Sequence, residues 1–421
     1  MMKAQDFLSE PARQKLQEIG KADILVGIPS YNNAKTIGQV VKAAASGLAT
    51  YFPHARSVIV NSDGGSQDGT PQIVEQAVLQ DPSMLLVQHP VPPIHKIVTP
   101  YHGVPGKGSA FRTIFKIAEE LQVQACAVVD ADLRSITSEW MELLIRPIYE
   151  GSFDYVTPLY RRHKYDGTIT NSIVYPLTRA LYGKRIRQPI GGEFGFSGKL
   201  AGFYLTKDVW ETDVARFGID IWMTTTAVAE DYKICQAFLG AKIHDPKDPG
   251  ADLSVMLTQV VGSVFRLMEE YQTIWQVTKG SSPIPVIGPE YEVNVEPVSV
   301  NVERMVNGFK QGLQDLLPLW EIILSPDTLA ELLPLGVLAV EEFRFPMDLW
   351  VPVVYDFALA YHDRALHREH LLKSLTPLYL GRTASFVLET RESGPEEVEG
   401  IIETLAEQYE AMKPYLAERW R

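Results

Sequence analysis

"ACAVVDADLRS", residues 125–135, decides how the chain is read. Five small or apolar residues run straight into two aspartates, Asp130 and Asp132, separated by one alanine. A short apolar run of this kind reads as a strand buried in a sheet. Side chains at i and i+2 of a strand share a face, so both carboxylates are expected on one side of its end. Two unpaired carboxylates there repel, and burying them is costly unless a cation sits between. A divalent ion, Mg2+ or Mn2+, takes oxygen ligands and also binds phosphates. Two solvated loop aspartates, one capping a helix ahead of "ITSEW", would read the same letters without a ligand. The local sequence leaves both readings open.

Working outward, apolar runs alternate with helical spacing from residue 23 to about 130. "DILVGIPSY" (23–31), "RSVIVNS" (56–62) and "MLLVQHP" (84–90) are strand candidates. Residues 34–52, 71–80 and 106–122 carry helical periodicity. Strand–helix alternation predicts an α/β fold with a doubly wound, mainly parallel sheet, which binds ligands at the carboxyl ends of its strands. Beyond 154 the pattern is mixed, with "FDYVTPLY" (153–160) as a strand, 171–183 and 220–231 as helices, and "PIGGEFGFSG" (189–198) as a loop. From about 251 it is almost wholly helical, interrupted by a Pro-rich connector at 280–300. The expected division is 1–260 for a ligand-binding catalytic domain and 261–421 for a helical one.

A chain of 421 residues with 46% hydrophobic residues can build two cores. With 39 basic against 52 acidic residues, its net charge of −13 argues against a nucleic-acid surface. Cys126 and Cys235 lie in apolar runs and read as buried thiols of a reducing compartment. The first twenty residues form a polar amphipathic pattern without a signal-peptide core, and no apolar run reaches membrane-spanning length. A soluble, cytoplasmic protein without stable membrane insertion is expected.

Several other stretches could carry chemistry. "YHGVPGKGSAF" (101–111) puts Lys107 between two glycines at a helix start, where free N–H groups suit a phosphate. It is not a P-loop, and a flexible turn is an equal reading. His244, in "AKIHDPKDPGADL" (241–253), becomes a metal-ligand candidate beside two aspartates, with Asp252 as its partner or a helix cap. "RQPIGGEFGFSG" (187–198) offers Gly191 and Gly192, which allow close backbone approach to a ligand, followed by Glu193. "YRRHKYDGTIT" (160–170) is a basic cluster able to grip a carboxylate or phosphate. Asp220 opens a helix and reads equally as its N-cap.

In order along the chain, "IPSYNNAKTIG", "DGGSQDGT", "PGKGSAFRT", "DADLRS", "RQPIGGEFGFS", "GIDIWMTT" and "IHDPKDPGADL" resemble the retaining GT-A glycosyltransferases that make mannosylglycerate, glucosylglycerate and glucosyl-3-phosphoglycerate. The resemblance spans roughly residues 22–275, with a weaker echo in "YDFALAYH". It implies a GT-A sheet, a GDP- or UDP-hexose donor, a glycerate-type acceptor and a divalent metal cofactor, Mg2+ or Mn2+. Asp132 and His244 would hold the metal. Asp130 and Ala131 would face the nucleotide sugar, with Pro29, Tyr31, Asn33, Asp63 and Lys107 around the nucleotide and Gly191 and Gly192 beneath the sugar. Asp63 would touch the base, although "NSDGGSQDGT" departs from the family's "DDGSTDGT". Arg161, Thr168, Thr170 and Asp220 would bind the acceptor. Catalysis would rest on Asp130, Asp220 and Glu193. The last two are the only candidates for a carboxylate nucleophile, and neither is well placed for it. The family usually explains retention by same-face attack, with the departing phosphate taking the acceptor proton. A phosphorylated acceptor would call on Arg161, Arg162, Lys164 and Arg187, and the residues lean towards unphosphorylated glycerate. A sugar-phosphate nucleotidylyltransferase, an alternative from another enzyme class, needs a Gly-rich loop after the first strand, where this chain reads "GIPSYNN". A non-catalytic sugar-binding or scaffold protein predicts a damaged D-x-D, where Asp130, Asp132 and His244 are all present. The helical C-terminal part would be the surface of a homodimer.

Overall fold

The computed structural model describes residues 8–77, 94–101, 104–244 and 253–421. Two compact units are present, Met1–Arg161 with Gln188–Asp245 and Ile284–Val295, and Arg162–Arg187 with Pro246–Pro283 and Glu296–Arg421. The chain passes between them repeatedly, so a single cut near 260 does not separate them. Hydrophobic periodicity marks helices but not which distant helix each one packs on. Helix Tyr175–Tyr182 lies against helix Pro395–Arg419, and buried Arg179 pairs there with Glu403 and Glu410 at 2.5 Å each.

The first unit holds an eight-stranded sheet. Its strands are β1 (Ile24–Ser30), β2 (Ser57–Asp63), β3 (His95–Pro100), β4 (Ala125–Val128), β5 (Tyr155–Arg161), β7 (Phe194–Ser197), β8 (Ile234–Ala241) and β10 (Val286–Ile287). The order is β10-β8-β5-β7-β4-β1-β2-β3, and only β7 runs antiparallel to its neighbours. The doubly wound α/β expectation therefore holds. Alternation along β1 explains its place. Ile24, Val26 and Ile28 enter one core with Val40, Val41, Ala44 and Leu48 of helix Ile37–Tyr51 and with Met141, Leu144 and Ile145 of helix Glu139–Tyr149. Each fully buried Val, Leu, Ile or Met side chain among these stabilises by about 1.5–3 kcal/mol. Gly27 belongs to the other face. A Cβ there would stand 2.7 Å from Ile114 of helix Lys107–Glu120.

Three local expectations change. "PIGGEFGFSG" contains a strand, because Phe194–Ser197 pairs with β4 and β5. Four residues with a glycine among them are too few to show alternation. The strand beside β2 is "HKIVTP", whereas the expected strand at 84–90 lies outside the described residues. β4 ends at Val128, so Asp130 and Asp132 sit in the turn beyond it. The i, i+2 rule for strands does not fix their sides.

The second unit is built on helices Ser254–Glu270, Val302–Ile323, Met347–His362, Arg368–Thr390 and Pro395–Arg419. It also holds a two-stranded sheet of β6 (Lys184–Arg185) and β9 (Ser282–Pro283). Trp320 is fully buried and donates through Nε1 to the Ser374 carbonyl at 3.1 Å. Cys126 and Cys235 are free, buried thiols. No helix among the described residues is long and apolar enough to cross a membrane.

Candidate active site

Five ionisable side chains of the first unit converge beyond the carboxyl end of β4. Lys107 opens helix Lys107–Glu120, and its ammonium lies 2.8 Å from Asp130 Oδ1 and 3.1 Å from Asp220 Oδ2. Lys242, just past β8, reaches the other side of Asp130, 3.1 Å from Oδ2. The same ammonium donates to the Gly191 carbonyl at 2.7 Å and to Glu193 Oε1 at 2.7 Å. The Tyr160 hydroxyl lies within hydrogen-bond distance of both Glu193 and the Gly191 carbonyl, with one proton to share between them, and its ring stacks on Trp140. Two lysines thus face three carboxylates in a nearly closed space, where charge pairs are strong and a lost partner is expensive.

The protonation preferences follow from the packing. Burial pushes Lys107 towards the neutral form, but Asp130 and then Asp220 more than offset this and raise its pKa. Burial likewise works against the Asp130 carboxylate, yet Lys107 and Lys242 together hold it well below the usual range. Glu193 is fully enclosed, and burial carries its pKa up to about 6 despite Lys242. Burial also raises Asp220, opposed by Lys107. Asp220 Oδ1 is buried and has no hydrogen-bond partner among the described residues. It is the one carboxylate oxygen of the cluster without a donor among the described residues. Gly218, not Asp220, caps this helix.

Several assigned roles change. The glycines around Lys107 serve packing. A Cβ at Gly108 would stand 1.8 Å from the Val214 carbonyl oxygen, and one at Gly106 2.5 Å from that of Ala215. The Gly108 N–H already donates to the Arg216 carbonyl at 3.2 Å. This helix start is closed by the 214–216 backbone, and Lys107 is held by carboxylates. Gly191 and Gly192 do permit close approach, but to protein. At Gly191 the neighbour is Pro158, 2.2 Å from an added Cβ. At Gly192, with φ +98, it is Asp130 Oδ2 at 2.2 Å. Glu193 is a buried support, because Lys242 and Tyr160 enclose the carboxylate that a nucleophile would need to present.

Asp63 is also spoken for. Its Oδ1 accepts from the backbone N–H of Gly65 and Ser66 at 2.9 and 2.8 Å. Its Oδ2 accepts from the hydroxyls of Ser30 and Ser66 at 2.8 and 2.7 Å. All four lone-pair positions of the carboxylate are filled, leaving none for a base N–H. The loop it holds is tied to the Tyr31–Ala34 segment. Asn32 N–H donates to Ser66 Oγ at 2.7 Å, and Asn33 N–H to Thr70 Oγ1 at 2.9 Å. Tyr31 is 62% exposed, and Pro29 sits within β1 opposite Ser62.

The segment that follows the second aspartate is hydrogen-bonded to the one that carries the histidine. Arg134 N–H donates to the Ile243 carbonyl at 2.9 Å, Ile243 N–H to Ser135 Oγ at 2.9 Å, and the Arg134 guanidinium to the His244 carbonyl at 3.3 Å. These bonds stitch the Asp132 turn to the His244 segment. A hard carboxylate and an imidazole on adjoining backbone suit a divalent ion of the Mn2+ type. Among the described residues no group of three or more His, Cys, Asp or Glu could hold a metal ion. Asp252 lies outside the described residues. Ala131 is buried, and its carbonyl accepts from Thr36 Oγ1 at 2.7 Å.

The basic cluster is dispersed. Arg161, at the end of β5, pairs with Glu290 at 3.3 Å, both half-exposed. Lys164 donates to the carbonyls of Thr390, Arg391 and Ser393 at 2.6–3.0 Å and closes the C-terminus of helix Arg368–Thr390. Arg162 faces Asp166 at 3.9 Å, and Arg187 pairs with Glu399 and Asn171. Thr168 and Thr170 are buried in the second unit, and the Thr168 hydroxyl bonds to that of Tyr379 at 2.5 Å. Sequence reading missed Lys242. Its signal was a lysine directly after the apolar run "CQAFLGA", where burial demands carboxylate partners.

Residues 25–204 match glycosyl transferase family 2. The matched segment runs from β1 through β7 and holds three of the five charged residues of the cluster, Lys107, Asp130 and Glu193, while Asp220 and Lys242 lie beyond it. No curated protein matches the chain by sequence. Among solved structures, the chain is similar to glucosyl-3-phosphoglycerate synthase from Mycobacterium tuberculosis in complex with Mn2+, uridine diphosphate and phosphoglyceric acid. The identity is 20% over 60% of this chain and 82% of that one, with a TM-score of 0.42. The same enzyme with Mn2+, UDP-glucose and phosphoglyceric acid gives 18% identity, 61% and 84% coverage and a TM-score of 0.43.

Proposed function

We propose that this chain is a metal-dependent, retaining hexosyltransferase that moves glucose or mannose from a nucleoside diphosphate sugar to D-glycerate or a closely related small hydroxy acid. The observation that carries this reading is the Lys107–Asp130–Lys242 cluster at the carboxyl end of β4, whose Lys107 and Asp130 lie inside the segment that matches glycosyl transferase family 2. Asp132 and His244 would hold the divalent metal, which when bound supplies charge neutralisation for the departing diphosphate.

The chain's own residues do the positioning. Asp130, fixed between two ammonium groups, stays ionised and presents a rigid carboxylate edge to the donor. Asp220 Oδ1 lacks a protein donor, so a substrate hydroxyl can supply one and become oriented. Glu193 is enclosed and Asp220 is held by Lys107, so neither carboxylate is free to attack an anomeric carbon. That supports same-face attack, with the acceptor proton passing to the departing phosphate oxygen. Arg161 can exchange Glu290 for an acceptor carboxylate, because an exposed pair of this kind is worth only about 0–1 kcal/mol. Lys164 and Arg187 are engaged within the second unit, which favours an acceptor without a phosphate.

The test incubates the protein with Mg2+ or Mn2+, UDP-glucose, GDP-glucose or GDP-mannose, and either D-glycerate or 3-phosphoglycerate. Acceptor-dependent release of nucleoside diphosphate, with retained anomeric configuration by NMR, is expected with D-glycerate. No release with any pair would overturn the reading, and preference for 3-phosphoglycerate would overturn the acceptor assignment.

A further inference from the structure

Lys242 is a buried ammonium whose contacts converge on one spot. It meets Asp130 Oδ2 at 3.1 Å, the Gly191 carbonyl at 2.7 Å and both Glu193 oxygens at 2.7 and 3.0 Å. Its three N–H donors are matched by a carboxylate of the D-x-D turn, the backbone of the double-glycine loop and the acid that follows it. The loop closes on the same point from its own side, since Gly192 leaves no room for a Cβ against Asp130 Oδ2 or, at 3.0 Å, Lys242 Nζ. A lysine that only neutralised Glu193 would need neither Asp130 nor the Gly191 carbonyl.

We propose that Lys242 is a positioning residue of the transfer site, holding the Gly191–Glu193 loop and the Asp130 carboxylate in one arrangement beneath the donor sugar. The inference rests on the transferase reading and assigns a residue to that site. Lys107 and Lys242 grip opposite oxygens of Asp130, so the carboxylate can neither rotate nor withdraw. With Lys242 removed, Asp130 keeps one anchor and the Gly191 carbonyl keeps only Tyr160. The donor would still bind, but its anomeric carbon would be displaced, and a misplacement of about 1 Å can cost about 100-fold in rate.

The experiment compares Lys242→Met/Glu193→Gln with Glu193→Gln alone, so that removing the ammonium does not leave Glu193 as a buried carboxylate without its cation. Two readouts are taken: amide hydrogen exchange of the peptide spanning Gln188–Phe194, and kcat and KM with whichever of UDP-glucose, GDP-glucose or GDP-mannose the wild type uses with D-glycerate. Faster exchange in that peptide, together with a kcat about 100-fold below that of Glu193→Gln at an unchanged acceptor KM, is expected. Unchanged exchange overturns the proposal. So does faster exchange with kcat within about threefold of Glu193→Gln, because Lys242 would then serve stability only. If wild type turns over none of the donors, the proposed function falls on that result, while the exchange comparison still judges whether Lys242 holds the loop.

Discussion

Gly192 lies so close to Asp130 that a Cβ at position 192 would stand 2.2 Å from the Asp130 carboxylate oxygen. Its φ of +98 is also one that an L side chain rarely adopts. The residue is therefore glycine for two independent reasons, one steric and one conformational. Gly192→Ala should lower stability by about 1–2 kcal/mol from the backbone alone, and by more if Asp130 does not move. If Asp130 does move, transfer should fall about 100-fold. Chemical denaturation and initial rates measured on one preparation check both effects. A variant with normal rate and normal stability would show that the loop is looser than described.

The enclosed Glu193 gives a pH dependence of definite sign. Its pKa rises from 4.5 to about 6 on folding, so between those values the folded protein binds more protons than the unfolded one. Stability contributed by this group is then present below about pH 4.5 and lost as pH climbs to about 6. The loss amounts to about 2 kcal/mol. Glu193→Gln should flatten that part of the stability curve, as read from denaturation midpoints across the interval. A curve of unchanged slope would refute the assignment.

Arg161→Ala removes a side chain whose present partner, Glu290, is half-exposed. Stability should change by no more than about 0.5 kcal/mol, as for an ordinary surface substitution. Acceptor KM should rise by about tenfold or more with kcat little changed, the pattern of lost ground-state binding. Initial rates over a range of D-glycerate concentrations decide it, and an unchanged KM removes Arg161 from the acceptor site.

Lys164→Ala predicts the converse. Three carbonyls at the end of helix Arg368–Thr390 lose their donor. A loss of about 1–3 kcal/mol in stability is expected, with acceptor KM unaffected. Thermal unfolding and the same kinetic series separate this structural role from the substrate-gripping role that the cluster "YRRHKY" invites.

Chelation with EDTA should abolish turnover, and Mn2+ or Mg2+ should restore it. Asp132→Ala should prevent that restoration, whereas His244→Ala should weaken it and raise the metal concentration for half-maximal rate. Full activity of Asp132→Ala in EDTA would dismiss the metal from the reaction.

The doubly wound sheet was legible because β1, β2 and β4 are apolar runs separated by helices with clear periodicity. Asp130, Asp220, Lys107 and the double glycine were also found, since charge and glycine next to strand ends stand out. Their partners were not. That Gly108 packs on Val214, that Asp63 is saturated by its own loop and that Lys164 caps a helix more than two hundred residues away are facts of tertiary proximity. Motif spacing carries no record of them. β7 escaped because four residues cannot display a period, and Lys242 because one lysine beside His244 reads as solvated until its burial is known.

Among the described strands of the eight-stranded sheet, β7 is the only one that runs against its neighbours, and it joins the β4 side of the sheet to the β5 side. The loop Gly191–Glu193 enters directly into it. The seam that closes the sheet and the floor of the proposed reaction centre are thus one continuous piece of backbone. The centre cannot assemble until residues separated by about seventy positions have zipped together, which makes its formation a late, long-range event in folding. In the finished protein the dependence runs the other way. A lesion in the seam will announce itself as lost turnover before it is visible as lost fold, so activity is the more sensitive gauge of whether the two halves of the sheet are properly joined.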